Sequence, residues 1–330
     1  MSLIGCLERV LNTIPKDEKK ERPFLNYALR RIEKSNISFI EAPTGYGKSV
    51  ISQALALHTL ENGLKVVVSF PLRTLLEDQY EKFERLLLSQ SMDRDLLGVR
   101  YMHHPESRYL LRPVTLTTVD TLSLNLMGIA PEDLEKALTW YGTSDGSMGH
   151  YLFSRGSVII SDLVLDEAHL LADSTKSLNF LAALLRIAEW HGQRLVMMSA
   201  TLPKPLEELL RKFDANVVKF SEYPDEAFLE ERRRKRYNEG GGVEICELKE
   251  SEKLKRIMEW LKEGLSSGFR RAIVVFNTVR DAISFYKEMR DELDLPKGKL
   301  LLHSRFSERD RRSKAEELDK LKRHSKEYII

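Results

Sequence analysis

Cysteine is scarce in this chain of 330 residues: Cys6 and Cys246 stand far apart, with no C-x-x-C pair and no histidine partners at metal spacing. That excludes a disulfide framework and a structural zinc site, and a reducing, cytoplasmic setting is expected. Charge of one sign is missing too. The 52 basic and 50 acidic residues leave a net charge of +2, so no bulk polycation drives nucleic-acid binding, and any such contact must come from a local patch. The opening MSLIGCLERVLNTIPKDEKK lacks a basic segment followed by an uninterrupted apolar core, so neither a signal peptide nor a membrane span is expected. What is present is an ordinary globular composition, 42% hydrophobic, over a length with room for two domains.

An apolar strand end at Ile40 runs into Ala42-Pro43-Thr44-Gly45-Tyr46-Gly47-Lys48-Ser49 and then into a helical segment over 50–61. This is a phosphate-binding loop, although Ala42 replaces the usual first glycine. The glycines let the backbone turn tightly and aim successive N–H groups at an anion, and the following helix adds its positive end. Lys48 is expected on the β and γ phosphates of ATP, and Ser49 on the Mg2+ that bridges them.

A second run, Val158 to His169, is a buried-type strand ending in Asp166-Glu167-Ala168-His169. Ligands bind beyond the carboxyl ends of strands in open α/β sheets, so Asp166 is expected to hold the metal and Glu167 to take a proton from the attacking water. Acidic residues are also favoured at helix N-termini, which is the plainer explanation. A third strand, Leu195 to Met198, ends in Ser199-Ala200-Thr201, whose hydroxyls can hydrogen-bond the acidic pair and sense the γ-phosphate.

In this order the three motifs resemble the nucleotide-binding half of a superfamily 2 helicase. The resemblance implies an α/β fold of tandem RecA-like domains with parallel sheets. Domain 1 is expected over 1–220, a linker over 221–242, and a partial domain 2 over 243–330. The linker range SEYPDEAFLEERRRKRYNEGGG has no apolar period from Glu230 on, and its basic run from Arg232 to Arg236 reads either as a phosphate contact or as a solvated face. Residues 3–14 and 24–34 read as amphipathic helices. The loop from Gly142 to His150 reads as an exposed excursion.

By the same resemblance, Arg22-Pro23-Phe24 is similar to the start of an adenine-reading motif, with Arg22 and Phe24 as contacts, although Leu25 stands where that motif has Gln and Phe24 also suits the core. Pro71, Arg73 and Thr74, then Thr118, Asp120 and Thr121, match strand-tracking motifs of domain 1. Each of these is also a place for a helix cap. Strands over 271–278 and 300–306 bring Asn277, Thr278, His303, Ser304 and Arg305 as the corresponding grip of domain 2, with Arg309, Arg311 and Arg312 beyond. His169 is implied to couple the acidic motif to domain closure, against the alternative of a packed helix-start residue.

The wording VFNTV at 275–279, LLHSRFSERDR at 301–311 and TTVDTL at 117–122 resembles the CRISPR-associated helicase of type I interference, the Cas-three family. That resemblance implies a translocase on single-stranded DNA, recruited by a Cascade-like surveillance complex. No histidine precedes His58, so a separate HD nuclease subunit is expected to cut. The second domain reads as truncated at Ile330, without the family's later arginines, so ATP turnover is expected to be weak. A non-processive ATP-gated scaffold and an RNA track are the alternatives.

Overall fold

Alternate residues of each strand in the first half of the chain are apolar on both sides, which requires a sheet covered on both faces. The computed structural model describes residues 2–15, 21–101, 104, 106–129, 134–143, 149–238, 245–249, 252–292, 295–324 and 327–330. It divides the chain into two units, Met1–Gly240 and Gly241–Ile330.

The first unit runs α1 (Leu3–Thr13), α2 (Pro23–Ile32), β1 (Ile37–Glu41), α3 (Lys48–Glu61), β2 (Lys65–Phe70), α4 (Arg73–Ser89), β3 (Leu97–Arg100), β4 (Val114–Thr118) and α5 (Val119–Leu126). It continues with α6 (Leu134–Thr143), α7 (Gly149–Ile159), β5 (Ser161–Leu165), α8 (Thr175–His191), β6 (Leu195–Ser199), α9 (Lys204–Lys212), β7 (Asn216–Lys219) and α10 (Glu226–Asn238). The seven strands are parallel, in the order β3-β4-β2-β5-β6-β1-β7. Ile40, Val66, Val68, Val164, Val196 and Met198 join the core beneath α1 to α4. Their neighbours Phe39, Val67, Leu163, Leu165, Leu195 and Met197 join the opposite core with α5, α8 and α9. The two-residue side-chain period of a strand thus splits each β segment between two layers.

Helix α3 is buried almost all round because α1 covers its outer side, inserting Leu3, Leu7 and Val10. The amphipathic pattern expected over 3–14 is the one observed. Between α6 and α7, the tip of the 142–150 excursion at 144–148 lies outside the described residues.

The connection expected over 221–242 is a correction in its first part. Asp225 and Phe228 are buried in the first unit, and α10 follows them. Its surface is charged nearly all round, so one buried aromatic carries the packing and no period is visible in the sequence. The three glycines at 240–242 lie outside the described residues.

The second unit contains α11 (Lys253–Ser266), β8 (Arg271–Ala272), α12 (Val279–Arg290), β9 (Gly298–Lys299), α13 (Glu308–His324) and β10 (Tyr328–Ile329). Its strands pair in parallel in the order β8-β10-β9. The strands are shorter than the ranges expected at 271–278 and 300–306. Hydrogen bonds from Val274 to Ile330 and from Leu300 to Ile329 extend the ladder slightly. Phe285, Met289, Leu295 and Ile329 form the core beneath α11 and α12. Ile273 and Val275, on the other side, are 72% and 84% exposed.

Candidate active site

Four strand ends converge at one edge of the first sheet. The Ala42 N–H donates to Ser199 O at 3.0 Å, and the Asp166 N–H donates to Ser69 O at 3.0 Å, so the segments after β1, β2, β5 and β6 leave the sheet side by side. That is where an open parallel sheet binds ligands.

The loop after β1 turns with Gly45 at φ 79° and Gly47 at φ 107°, conformations that a side chain would strain. Gly47 leads directly into α3, so the loop ends on a helix N-terminus, which suits an anion. Lys48 is buried, its Nζ 3.2 Å from Ala42 O and 3.7 Å from Glu167 Oε1. Ser49 is half-buried in the first turn of α3.

Asp166 follows β5 directly, and its Oδ1 accepts the Glu167 N–H at 2.9 Å. Burial, reinforced by the neighbouring Glu167 carboxylate, raises the Asp166 carboxyl to about 6. A bound cation would relieve that cost, so the donor set fits a divalent metal. Glu167 itself sits at φ 48°, left-handed and unusual for a residue other than glycine. The turn aims its carboxylate at both Lys48 and His169, whose Nδ1 is 3.3 Å from Glu167 Oε2 and 2.8 Å from Ser199 Oγ. The Thr201 N–H reaches the same Ser199 oxygen at 3.3 Å. Phosphate loop, acidic motif and Ser-Ala-Thr motif therefore form one connected cluster: Lys48, Glu167, His169, Ser199.

Other expected contacts are placed differently. Phe24 is fully buried and Tyr46 is 1% exposed, so neither ring has a face open to a base or a sugar. For Phe24 this corrects the nucleotide contact and leaves the core alternative; the backbone of Tyr46 remains in the loop. Arg22 pairs with Asp225 at 3.9 Å. Thr121 is 3% exposed and hydrogen-bonded to Thr118, the cap of α5, which removes its hydroxyl from any strand contact. Asp120, Thr74 and half-buried Pro71 and Thr118 remain at the edge. Arg73 is held by Glu77 at 2.9 Å and lies over the Tyr101 ring.

In the second unit, Asn277, Thr278, His303 and Ser304 line one cavity of 380 Å3, so the two expected grip motifs do meet. Thr278 also caps α12 through the Asp281 N–H, and His303 stacks on Phe306 at 3.8 Å. Arg305, Arg309 and Arg311 are exposed; the side chain of Arg312 lies outside the described residues.

Two features escaped the sequence reading. One is the buried Tyr46–Asp225 pair, for which Pro224-Asp225-Glu226 is a helix-start signal. The other is a 410 Å3 cavity beside the loop, shared by Pro43, Thr44, Thr201 and Arg232.

The fold and this cluster define a P-loop nucleotide-binding domain of the helicase kind. The sequence pattern of the DEAD/DEAH box helicases matches residues 23–209, and the chain belongs to that family. It is Cas3-like within it: residues 269–330 match the C-terminal part of the CRISPR-associated nuclease/helicase Cas3. The curated Cas3 of Methanothermobacter thermautotrophicus is 25% identical over 84% of this chain, which spans 32% of that relative's length. Among solved structures, S. cerevisiae Dbp5 bound to RNA and ADP BeF3 has a TM-score of 0.61 at 16% identity, covering 97% of this chain and 73% of its own. Mycobacterium smegmatis helicase Lhr bound to ssDNA and AMP-PNP has a TM-score of 0.60 at 16% identity, covering 100% and 42%. Membership of the family implies ATP and a divalent metal in general terms. Among the described residues no helix is long and apolar enough to cross a membrane.

Proposed function

We propose that this chain is the ATP-driven part of a single-stranded DNA translocase or helicase in CRISPR type I interference, working with a surveillance complex and a separate HD nuclease. The observation that carries the ATPase reading is the Glu167 carboxylate, 3.7 Å from Lys48 and 3.3 Å from His169. The CRISPR reading is supported by the Cas3-like match at 269–330.

The division into a first RecA-like unit, extended from 1–220 through α10, a connection after that helix and a second RecA-like unit belongs to the same proposal. Backbone N–H groups within 44–49 and Lys48 would hold the triphosphate, with Pro43 shaping the loop, and Ser49 with Asp166 would hold Mg2+. When bound, Mg2+ neutralises phosphate charge. Glu167 accepts a proton from water at its carboxylate, which lies 3.7 Å from the Lys48 ammonium. His169, held by Ser199, fixes the orientation of Glu167. Strand binding falls to Pro71, Arg73, Thr74, Thr118 and Asp120 in one unit and Asn277, Thr278, His303, Ser304 and Arg305 in the other, through phosphate contacts that carry no base information.

The test is Glu167→Gln. A motor retains ATP and holds single-stranded DNA more tightly, while steady-state phosphate release falls about 10²-fold or more. A scaffold shows little change in DNA affinity. Competition between DNA and RNA strands of one sequence decides the track.

A further inference from the structure

Tyr46 lies in the phosphate loop between two glycines of positive φ, so the backbone can swing on either side of it. Its ring, however, is locked. It packs edge-on against Phe24 at 5.8 Å, Phe220 at 5.0 Å and Phe228 at 5.0 Å between centroids. Its hydroxyl accepts the Phe24 N–H at 3.1 Å and donates to Asp225 Oδ2 at 2.9 Å.

Asp225 is buried and has a second task. Its Oδ1 accepts the Phe228 N–H at 3.0 Å, which caps α10. The Arg22 guanidinium lies 3.9 Å from its Oδ2 and over the rings of Tyr46 and Phe228. One buried polar knot therefore joins the loop to the first turns of α2 and α10. A phenylalanine would fill the same aromatic cage. The hydroxyl adds only the two bonds, and both run to elements distant in sequence. Helix α10 in turn carries Arg232 to the cavity that it shares with Pro43 and Thr44.

We infer that Tyr46 and Asp225 are positioning residues: a latch that holds the phosphate loop in its anion-binding shape and ties loop occupancy to α10. The inference rests on the nucleotide-binding reading above. A loop with two glycine pivots loses conformational entropy when it orders around an anion, and a fixed point between the pivots removes part of that loss in advance.

The experiment titrates the full chain with magnesium-ADP by calorimetry and follows amide hydrogen exchange over 43–49 and 226–234. In the wild type, nucleotide slows exchange in both segments. Tyr46→Phe is expected to weaken binding about tenfold, the size of one lost buried hydrogen bond, and to confine protection to the loop. Asp225→Asn keeps the cap and gives the same reading should Tyr46→Phe fail to unfold cooperatively. Binding within twofold of wild type in both variants, with α10 protection intact, overturns the latch while leaving the nucleotide site standing. A wild type that does not bind magnesium-ADP at all, or a Lys48→Ala variant that binds as well as wild type, removes the nucleotide reading and the latch together.

Discussion

His169 and Ser199 share a 2.8 Å hydrogen bond between the segment after β5 and the last residue of β6. The acidic motif and the Ser-Ala-Thr motif are thereby one mechanical unit, since the same Nδ1 lies 3.3 Å from Glu167. Ser199→Ala frees the imidazole without touching the phosphate loop. Strand-stimulated ATP hydrolysis is expected to fall about tenfold, with nucleotide affinity within twofold of wild type; phosphate release and calorimetric titration, run side by side, check this.

Gly47 enters α3 at φ 107°, and a Cβ there would meet Leu25 at 3.7 Å and Val50 at 3.8 Å, ordinary contacts. Backbone strain, not crowding, is therefore the cost of Gly47→Ala. Roughly 1–3 kcal/mol of stability is expected to go, together with nucleotide binding, measured by urea denaturation and titration.

Lys65 is half-buried at the start of β2, where its Nζ donates to Ser157 O at 3.1 Å, Ser157 Oγ at 2.8 Å and Ser161 Oγ at 2.9 Å. It makes no ion pair among the described residues, and burial lowers its ammonium to about 7. The unfolded chain binds this proton up to about pH 10.4 and the folded one only below about 7, so the folded state gains stability as pH rises between those values. Relative to Lys65→Met, wild type should gain roughly 1–4 kcal/mol across that window. Parallel denaturation curves at pH 7 and pH 10 would contradict it.

Burial raises the Asp166 carboxyl to about 6, so on the proposed reading its proton would compete with a divalent metal. Metal affinity in the presence of ADP should fall severalfold from pH 7.5 to 5.5. The same comparison in Asp166→Asn should show a smaller fall, the part left by protonation of the ADP terminal phosphate.

The phosphate loop was legible because an anion cradle needs glycine at positive φ, and Gly45 and Gly47 adopt it. The central strands were legible because double-sided burial writes continuous apolar runs such as Leu163 to Leu165. Aromatics were harder. Phe24 and Tyr46 suit base stacking and core packing equally well by residue type, and only the distant Phe220 and Phe228 decide for the core. Helix α10 was illegible for the opposite reason, because too few apolar residues mark its buried side. Hydroxyls such as those of Thr118 and Thr278 read as strand contacts also serve as caps, and caps are local bonds that a motif does not reveal.

Glu167 adopts a twist that glycine or asparagine would accept more readily. Replacing it by glycine should relieve that strain, yet it also leaves the buried Lys48 ammonium without its nearest carboxylate. Strain and charge thus pull in opposite directions at a single side chain: the twist favours a smaller residue, while the ammonium beneath it favours a carboxylate.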